Sequence, residues 1–256
     1  ALGLKQQYFL CSASIQNIIN DHRHRYGDLS DLPKLAAIHL NDTHPAMAIA
    51  ELMRILVDEY YYKWEDAWSI TTASCAYTNH TVLAEALETW QEDLVARTVP
   101  RIHSIIKEIN RRLCEELWNR FPGEWAKISR MSIIEHDRVK MANLSVYGSH
   151  SVNGVAALHS EIIKKSVFKD YYDFTPEKFT NVTNGIAYRR WLCQANPELT
   201  NLLIECIGDG FVHDSMKLAD FKQFENDETV LDKLEEIKAI KKQQFADYAY
   251  KKQGFV

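Results

Sequence analysis

Four apolar, β-prone runs of this chain end in compact polar clusters, in which Asn, Asp or His stands beside Gly, Pro or Thr. The clusters are residues 40–45 (Leu-Asn-Asp-Thr-His-Pro), 77–81 (Tyr-Thr-Asn-His-Thr), 147–150 (Tyr-Gly-Ser-His) and 182–185 (Val-Thr-Asn-Gly). Open α/β sheets bind ligands in the crevice beyond the carboxyl ends of their strands. If each run is a strand, the clusters converge on one pocket of neutral, hydroxyl-matching groups, as a sugar site requires.

Apolar periodicity supports an alternation of strands and helices. The pattern predicts strands at 36–40, 69–77 and 144–147 and helices after each, including 83–90 and 155–165. A longer helix opens at Pro100, with an apolar stripe of Ile102, Ile105, Ile106, Ile109, Leu113 and Leu117. The fold class that follows is α/β: a Rossmann-like, mainly parallel sheet flanked by helices.

The C-terminal part of the sequence is mostly helical. Residues 181–191 are the best candidate for a domain boundary, Pro197 starts a helix beyond them, and an apolar stripe marks another at Leu231, Leu234, Ile237 and Ile240. A helical C-terminal extension is therefore expected after the sheet.

Composition excludes several partners. The 35 acidic residues outnumber the 30 basic ones, with no basic stripe, so nucleic acid is not expected. No run reaches the roughly 18 apolar residues of a membrane helix. The five cysteines are widely spaced and include no Cys-x-x-Cys pair, which is typical of reduced thiols and predicts a cytoplasmic protein.

His44 and His80 are the first candidates for chemistry, because a turn after a strand exposes an imidazole at the sheet edge. Each can bond a hydroxyl or an anion, or merely satisfy its own turn. Asp42 and His44, with His22 and His24 upstream, also allow a metal-dependent hydrolase, although the sequence lacks a His-Glu-x-x-His spacing.

Arg189, Arg190 and Trp191 follow the Asn-Gly turn of the last cluster. Two guanidinium groups beside an indole can hold a phosphate or a planar cofactor through bidentate bonds and stacking. The alternative is a contact between domains in which the arginines pair with carboxylates.

Taken together, the clusters resemble the glycogen phosphorylase family of α-glucan phosphorylases, which includes the maltodextrin phosphorylases. The matching stretches, in the family's order and spacing, are 40–45, 76–83 with 85–88, 148–156, and 183–186 with 189–191. The resemblance covers nearly the whole chain. The chain nevertheless looks like only the central part of the family's longer polypeptide.

The resemblance implies phosphorolysis of a terminal α-1,4-glucosyl unit by inorganic phosphate, with pyridoxal 5'-phosphate as cofactor and a homodimeric parent protein. By position, His80 is expected to bond the glucosyl O6 and to aim its backbone carbonyl at the developing oxocarbenium charge, and Asn184 to share that O6. The other implied positions are Asp42 and His44 on the acceptor side, Val155 in the pocket wall and Trp191 beside the cofactor.

The resemblance also implies a domain organisation. Residues 1–183 correspond to the later part of the N-terminal phosphorylase domain, and residues 184–256 to the start of the cofactor-binding domain. The family's cofactor lysine and the Lys and Arg that bind phosphate have no counterpart here, so the isolated chain is expected to be inactive.

Several positions depart from the family pattern. Ala84 and Ala187-Tyr188 replace Pro and Thr-Pro. Lys107, Arg111 and His136 stand where the storage site of the animal enzymes has Tyr, Gln and Glu, which argues against a dedicated storage site and favours a bacterial-type enzyme acting on soluble maltodextrins or glycogen.

Two other functions remain open at this point. The runner-up is a non-catalytic module that binds a glucan or another partner, which glucan binding without turnover in the parent would favour. The third is the metal-dependent hydrolase, which stoichiometric metal at Asp42 and His44 would favour.

Overall fold

The computed structural model describes residues 2–83, 85 and 87–254. Ten α-helices of the first part of the chain are α1 Leu2–Tyr26, α2 Leu32–Leu35, α3 Met47–Arg54, α4 Trp64–Ser74, α5 Glu92–Thr98, α6 Pro100–Arg120, α7 Trp125–Met131, α8 Met141–Tyr147, α9 Ala157–Ile162 and α10 Lys169–Phe174. Short π-helical turns at Ile55–Glu59 and Ile163–Val167 extend α3 and α9, and a 3-10 turn spans Pro176–Lys178.

A parallel four-stranded sheet lies at the centre of this part of the chain. Its strands are β1 Ile38–Asn41, β2 Cys75–Thr78, β6 Ser151–Gly154 and β7 Phe179–Asn181, in the order β1-β2-β6-β7. Ile38 pairs with Cys75, Ala76 with Ser151 and Val152 with Phe179. Because the strands are parallel, each connection crosses back through helices, and the expected Rossmann-like architecture is confirmed.

A second, antiparallel sheet is formed by β3 Thr89–Gln91, β4 Ile134–Glu135 and β5 Arg138–Lys140, in the order β3-β5-β4. His136 and Asp137 make the turn between β4 and β5, and both have positive φ angles of 47° and 58°. Two central residues with positive φ suit the tight, right-twisted hairpin.

The apolar core lies between the sheet and the helices α1, α3, α6 and α8. Helix α3 is buried on nearly every side, and the six apolar residues of the α6 stripe are each at most 1% exposed. The expected α6 helix and its buried face are therefore confirmed. Gly148 fits this core tightly, since a Cβ there would lie 2.6 Å from the Ile49 side chain.

Three local predictions were wrong. Residues 69–74 belong to helix α4 and only the following four form a strand, while 144–147 end helix α8. Helix α8 is buried at Met141, Ala142, Leu144, Ser145 and Val146, so its sequence shows no polar face to reveal the helical period. Of the helix expected at 83–90, Thr89 and Trp90 lie in β3, and residues 84 and 86 fall outside the described residues.

The contacts divide the chain into two units, Ala1–Asn184 and Gly185–Val256. The described residues of the second unit are helical or irregular: α11 Pro197–Ile207, α12 Glu228–Gln253, a π-helical turn Arg189–Gln194 and 3-10 turns Asp209–Val212 and Ser215–Phe224. Helix α12 is capped by the Asp227 carboxylate, which accepts from Val230 N–H at 3.1 Å. Assignment of the two units to the two phosphorylase domains stays a prediction.

Across the residues that the structure covers, no helix is both long enough and apolar enough to cross a membrane.

Candidate functional site at the carboxyl edge of the sheet

Four sequence-predicted site residues lie at one edge of the parallel sheet. Asp42 follows β1, His80 follows β2 by two residues, Val155 follows β6, and Asn184 comes soon after β7. Because all four strands run in the same direction, their carboxyl ends lie on the same edge. The strand order places these loops side by side as 42, 80, 155 and 184.

Backbone hydrogen bonds hold neighbouring loops together beyond the ends of the strands. Asp42 N–H donates to the Thr78 carbonyl, and Asn184 N–H donates to the Val155 carbonyl, each at 3.0 Å. Asn79 N–H likewise donates to the Asn153 carbonyl at 3.0 Å. The ladder therefore continues into the loops and fixes their backbone relative to one another.

The His80 side chain is exposed at this edge and bonded through one ring nitrogen. Its Nε2 lies 2.5 Å from Oδ1 of Asn41. Since an amide oxygen only accepts, Nε2 carries the proton and a neutral ring keeps Nδ1 as an acceptor. Among the described residues Nδ1 has no partner, so a ligand hydroxyl can donate to it. The Asn184 side chain is also exposed.

Asp42 occupies a left-handed backbone conformation, with φ of 64°. Aspartate tolerates this region because its short polar side chain can bond locally, and here Oδ1 accepts from Thr43 N–H at 2.6 Å. The nearby Tyr77 phenol has its pKa raised, chiefly by burial and in part by the negative charge of Asp42. The phenol therefore stays neutral.

His44 lies on the side of β1 that faces helix α1. It lines a cleft of about 370 Å³ together with residues of α1 and β1, which include Gln7, Cys11 and His39. The structure thus places His44 in a different recess from the hydrogen-bonded loops that carry His80 and Asn184.

A row of polar side chains crosses the sheet just inside the edge, and sequence reasoning missed it. His39 Nε2 lies 2.5 Å from Thr78 Oγ1, which donates to Asn153 Oδ1 at 2.6 Å. Asn153 Nδ2 then donates to the Gly154 carbonyl at 3.0 Å. The row depends on the strand register, which no sequence spacing reveals.

A polar pair, the buried Asn79 and the half-buried His159, was also missed. Asn79 is completely buried, and its Oδ1 accepts from His159 Nε2–H at 3.1 Å. His159 is the third residue of α9. The sequence signal for its role is a histidine four residues after Val155. Glycine is needed at 154, because a Cβ would lie 2.9 Å from the Ser160 backbone.

The third sequence cluster lies at the opposite edge. Gly148, Ser149 and His150 come before β6, and His150 N–H donates to the carbonyl of Cys75, the first residue of β2. The expectation that this cluster joins the pocket was wrong, because the apolar run before it is a helix. Its place is taken by Gly154, Val155 and Ala156.

Trp191 lies in the second unit, where its indole is 71% exposed. Arg189 beside it is engaged within that unit, since its Nη1 donates to Tyr188 OH at 2.6 Å and to the Val212 carbonyl at 3.0 Å. The exposed indole can serve as a packing surface for a planar cofactor, and the Arg189 guanidinium is held within the second unit by these two bonds.

Two further sequence hypotheses concern metals and a storage site. In the residues that the structure describes, no group of three His, Cys, Asp or Glu side chains is placed to hold a metal ion. Lys107 and Arg111 line a groove of about 920 Å³ on α6, where Arg111 is paired with Glu108 and Glu115. The absence of a storage site stays a prediction.

Comparison with known proteins decides the family. The family model for carbohydrate phosphorylases matches residues 1–256. The chain belongs to the carbohydrate phosphorylase family. It is 46% identical over 255 residues to the glycogen phosphorylase of Bacillus subtilis strain 168. The match covers all of this chain and 32% of the length of that protein.

Animal phosphorylases are similar to the same degree. The muscle form of Bos taurus is 44% identical over 261 residues, covering 98% of this chain and 31% of its own length. The brain form of Mus musculus is 46% identical over 256 residues, covering 96% and 30%. The chain therefore spans about a third of the length of these phosphorylases.

Proposed function

We propose that this chain supplies the glucan-binding side of the active site of an α-1,4-glucan phosphorylase. In the full-length protein, inorganic phosphate cleaves the terminal glucosyl unit of glycogen or a maltodextrin and releases glucose 1-phosphate with retained configuration. The observation that carries the proposal is the carboxyl edge, where four loops of a phosphorylase-family chain are hydrogen-bonded side by side.

His80 has the central role in this proposal. Its Nδ1 accepts a hydrogen bond from the glucosyl O6 hydroxyl, while Nε2 is held by Asn41. Its backbone carbonyl faces the positive charge that develops on the glucosyl unit as the glycosidic bond breaks. A fixed dipole aimed at an emerging positive centre stabilises the transition state more than the ground state.

The other loops shape and extend the site. Asn184 shares the glucosyl O6, and Val155, whose carbonyl accepts from Asn184 N–H, forms the pocket wall. Asp42 contacts the acceptor side of the glucan, and His44, which lines the neighbouring recess between β1 and α1, extends that side. These groups are largely neutral and directional, which suits the hydroxyls of a sugar.

The cofactor and the phosphate site belong to the rest of the protein in this proposal. When bound, pyridoxal 5'-phosphate would contribute to phosphorolysis through its phosphate group. Trp191 would pack along the cofactor, consistent with its exposed indole. Without the remaining parts, the isolated chain does not turn over glucan, and the full-length protein is a homodimer.

The test is phosphate-dependent release of glucose 1-phosphate by the full-length protein and its variants. We expect His80→Ala to lower kcat/KM by about 10²-fold, because a group aligned with the transition state is lost. Asn184→Ala removes one hydrogen bond and is expected to cost about tenfold.

Matched controls are His24→Ala and Asn17→Ala on the exposed side of α1. Their activity should equal that of the wild type. Equal turnover in all four variants would contradict the site assignment, whereas glucan binding without any turnover in the wild type would favour the non-catalytic binding module.

A further inference from the structure

The buried Asn79 side chain connects three segments at the carboxyl edge. Its Oδ1 accepts from Thr81 N–H and from His159 Nε2–H, each at 3.1 Å. Its Nδ2 donates to the hydroxyl of Tyr77 at 3.1 Å. Because Thr81 N–H can only donate, the amide oxygen must face it, and the side-chain amide of Asn79 has one defined orientation.

His159 is bonded through both ring nitrogens, and the partners define its protonation. Nδ1 accepts from Val155 N–H at 3.0 Å, so this nitrogen carries no proton. Nε2 therefore carries the proton that is donated to Asn79 Oδ1. The neutral imidazole acts as a rigid spacer between the loop after β6 and the loop after β2.

The orientation of Asn79 determines the direction of the His80 carbonyl. The His80 carbonyl and Thr81 N–H belong to the same planar, trans peptide unit, in which they point in opposite directions. Because Thr81 N–H donates to Asn79 Oδ1, the carbonyl is directed away from the buried amide. Loss of this hydrogen bond would remove a constraint on the peptide unit and therefore on the direction of the His80 carbonyl.

We propose that His159 is a positioning residue for phosphorolysis, acting through Asn79 on the backbone carbonyl of His80. The inference rests on the proposed function, since it concerns the same carbonyl. His159 holds the Asn79 oxygen, which holds Thr81 N–H and with it the His80 peptide unit. At its other nitrogen it holds Val155 N–H in the pocket wall.

The two nitrogens allow the two connections to be removed separately. In His159→Gln the side-chain amide can reach Asn79 as the Nε2 donor does, but the acceptor for Val155 is lost. In His159→Asn an amide oxygen can replace Nδ1 as the acceptor for Val155, but the donor to Asn79 is lost. His159→Ala removes both.

The expected effect is on kcat, because the carbonyl acts on charge that is present only in the transition state. In the full-length protein we expect His159→Asn and His159→Ala to lower kcat by about 10- to 100-fold, as misplacement of a catalytic group does. KM for glucan should change far less. His159→Gln should recover most of the lost kcat, which a general packing role would not produce.

His103 provides matched controls, because it is half-buried like His159 and its Nε2 is bonded to Glu92 at 2.8 Å. His103→Asn and His103→Gln should keep kcat within about twofold. Full kcat in His159→Asn, or equal losses in the Asn and Gln variants, would overturn the inference alone. Absence of phosphorolysis in the wild type would overturn the proposed function and the inference with it.

Discussion

Two polar clusters of the first unit, each built around a fully buried side chain, differ in charge and in what they connect. Between helices α1 and α3, the fully buried carboxylate of Glu51 accepts hydrogen bonds from Arg54 on α3 and from Tyr8 and Ser12 on α1. At the sheet edge, neutral groups of Asn79 and His159 connect two loops. The first cluster joins regular helices, whereas the second fixes the backbone beside the candidate site.

The two clusters are therefore expected to affect different properties, namely the stability of the fold and the geometry of the candidate site. A buried charge is costly when its partner is removed, so the Glu51 cluster should influence mainly the free energy of unfolding. A neutral hydrogen bond contributes about 1 kcal/mol, but it also sets directions to which a reaction is sensitive. The edge cluster should therefore influence mainly turnover.

The largest effect is expected for Arg54→Met. Arg54 binds both carboxylate oxygens of Glu51 at 2.8 and 2.9 Å, and the variant would leave this buried charge without a counter-ion. We expect the free energy of unfolding to fall by about 3–5 kcal/mol, measured by urea denaturation of the purified protein. The kcat of the protein that remains folded should be unchanged.

The control is Arg101→Met, which removes an exposed arginine paired with Asp58 on the surface. Its cost should be below about 1 kcal/mol. Equal destabilisation by the two substitutions would show that burial of the Glu51 charge has no special weight.

Compared with Arg54→Met, Gly154→Ala is expected to lower the free energy of unfolding less and to lower turnover more. The new Cβ would lie 2.5 Å from Ser160 Oγ and 2.9 Å from the Ser160 backbone, so α9 must move and carry His159 with it. We expect about 1–3 kcal/mol of destabilisation. Glucose 1-phosphate release should fall further than the folded fraction does.

Gly3→Ala serves as the control, since a Cβ there would make only an ordinary 3.6 Å contact with Trp90. If Gly154→Ala unfolds the protein as readily as Arg54→Met while the folded fraction keeps full kcat, the distinction between the two clusters is lost.

The smallest effect is expected for Glu108→Gln on the surface of α6. The pKa of Glu108 is lowered from 4.5 to about 2. The main cause is the hydrogen bond from Arg111, and the bond from Arg112 lowers the pKa further. A carboxylate with a lowered pKa stabilises the folded state above its ordinary pKa, and this contribution is lost as pH falls towards the lowered value. After screening by solvent, the contribution should be about 0.5 kcal/mol.

Urea denaturation between pH 7 and pH 3 should therefore find Glu108→Gln slightly less stable at neutral pH, with the difference shrinking below pH 4.5. Glu124→Gln, which removes an exposed carboxylate on a neighbouring segment, should give no such trend. A difference that grows on acidification would contradict the assigned sign.

The sequence predicted those parts of the fold whose pattern is local. The α6 stripe was recognisable because one side of the helix is apolar and the other is charged. The loops after β1, β2 and β7 were recognisable because polar residues follow short apolar runs. Helix α8 was mistaken for a strand because it is buried on several faces and shows no helical period.

The candidate site was predictable in its residues and less so in its supports. His80 and Asn184 stand out as polar residues after strands, and the structure places them on one edge. Asn79 and His159 are distant in sequence, and they meet only because β2 and β6 pair in one particular register. A register of this kind is a property of the tertiary fold, which no local spacing encodes.

The parallel order of the strands has a consequence for biosynthesis. Asn79 is hydrogen-bonded to Asn153, and Val155 to Asn184, so the pocket edge is closed by segments that leave the ribosome long after β1 and β2. Parallel pairings between distant segments form slowly, because the intervening loop must close first. The edge that carries the candidate site is therefore completed only after β6 and β7 have been synthesised, later than the pairing of β1 with β2.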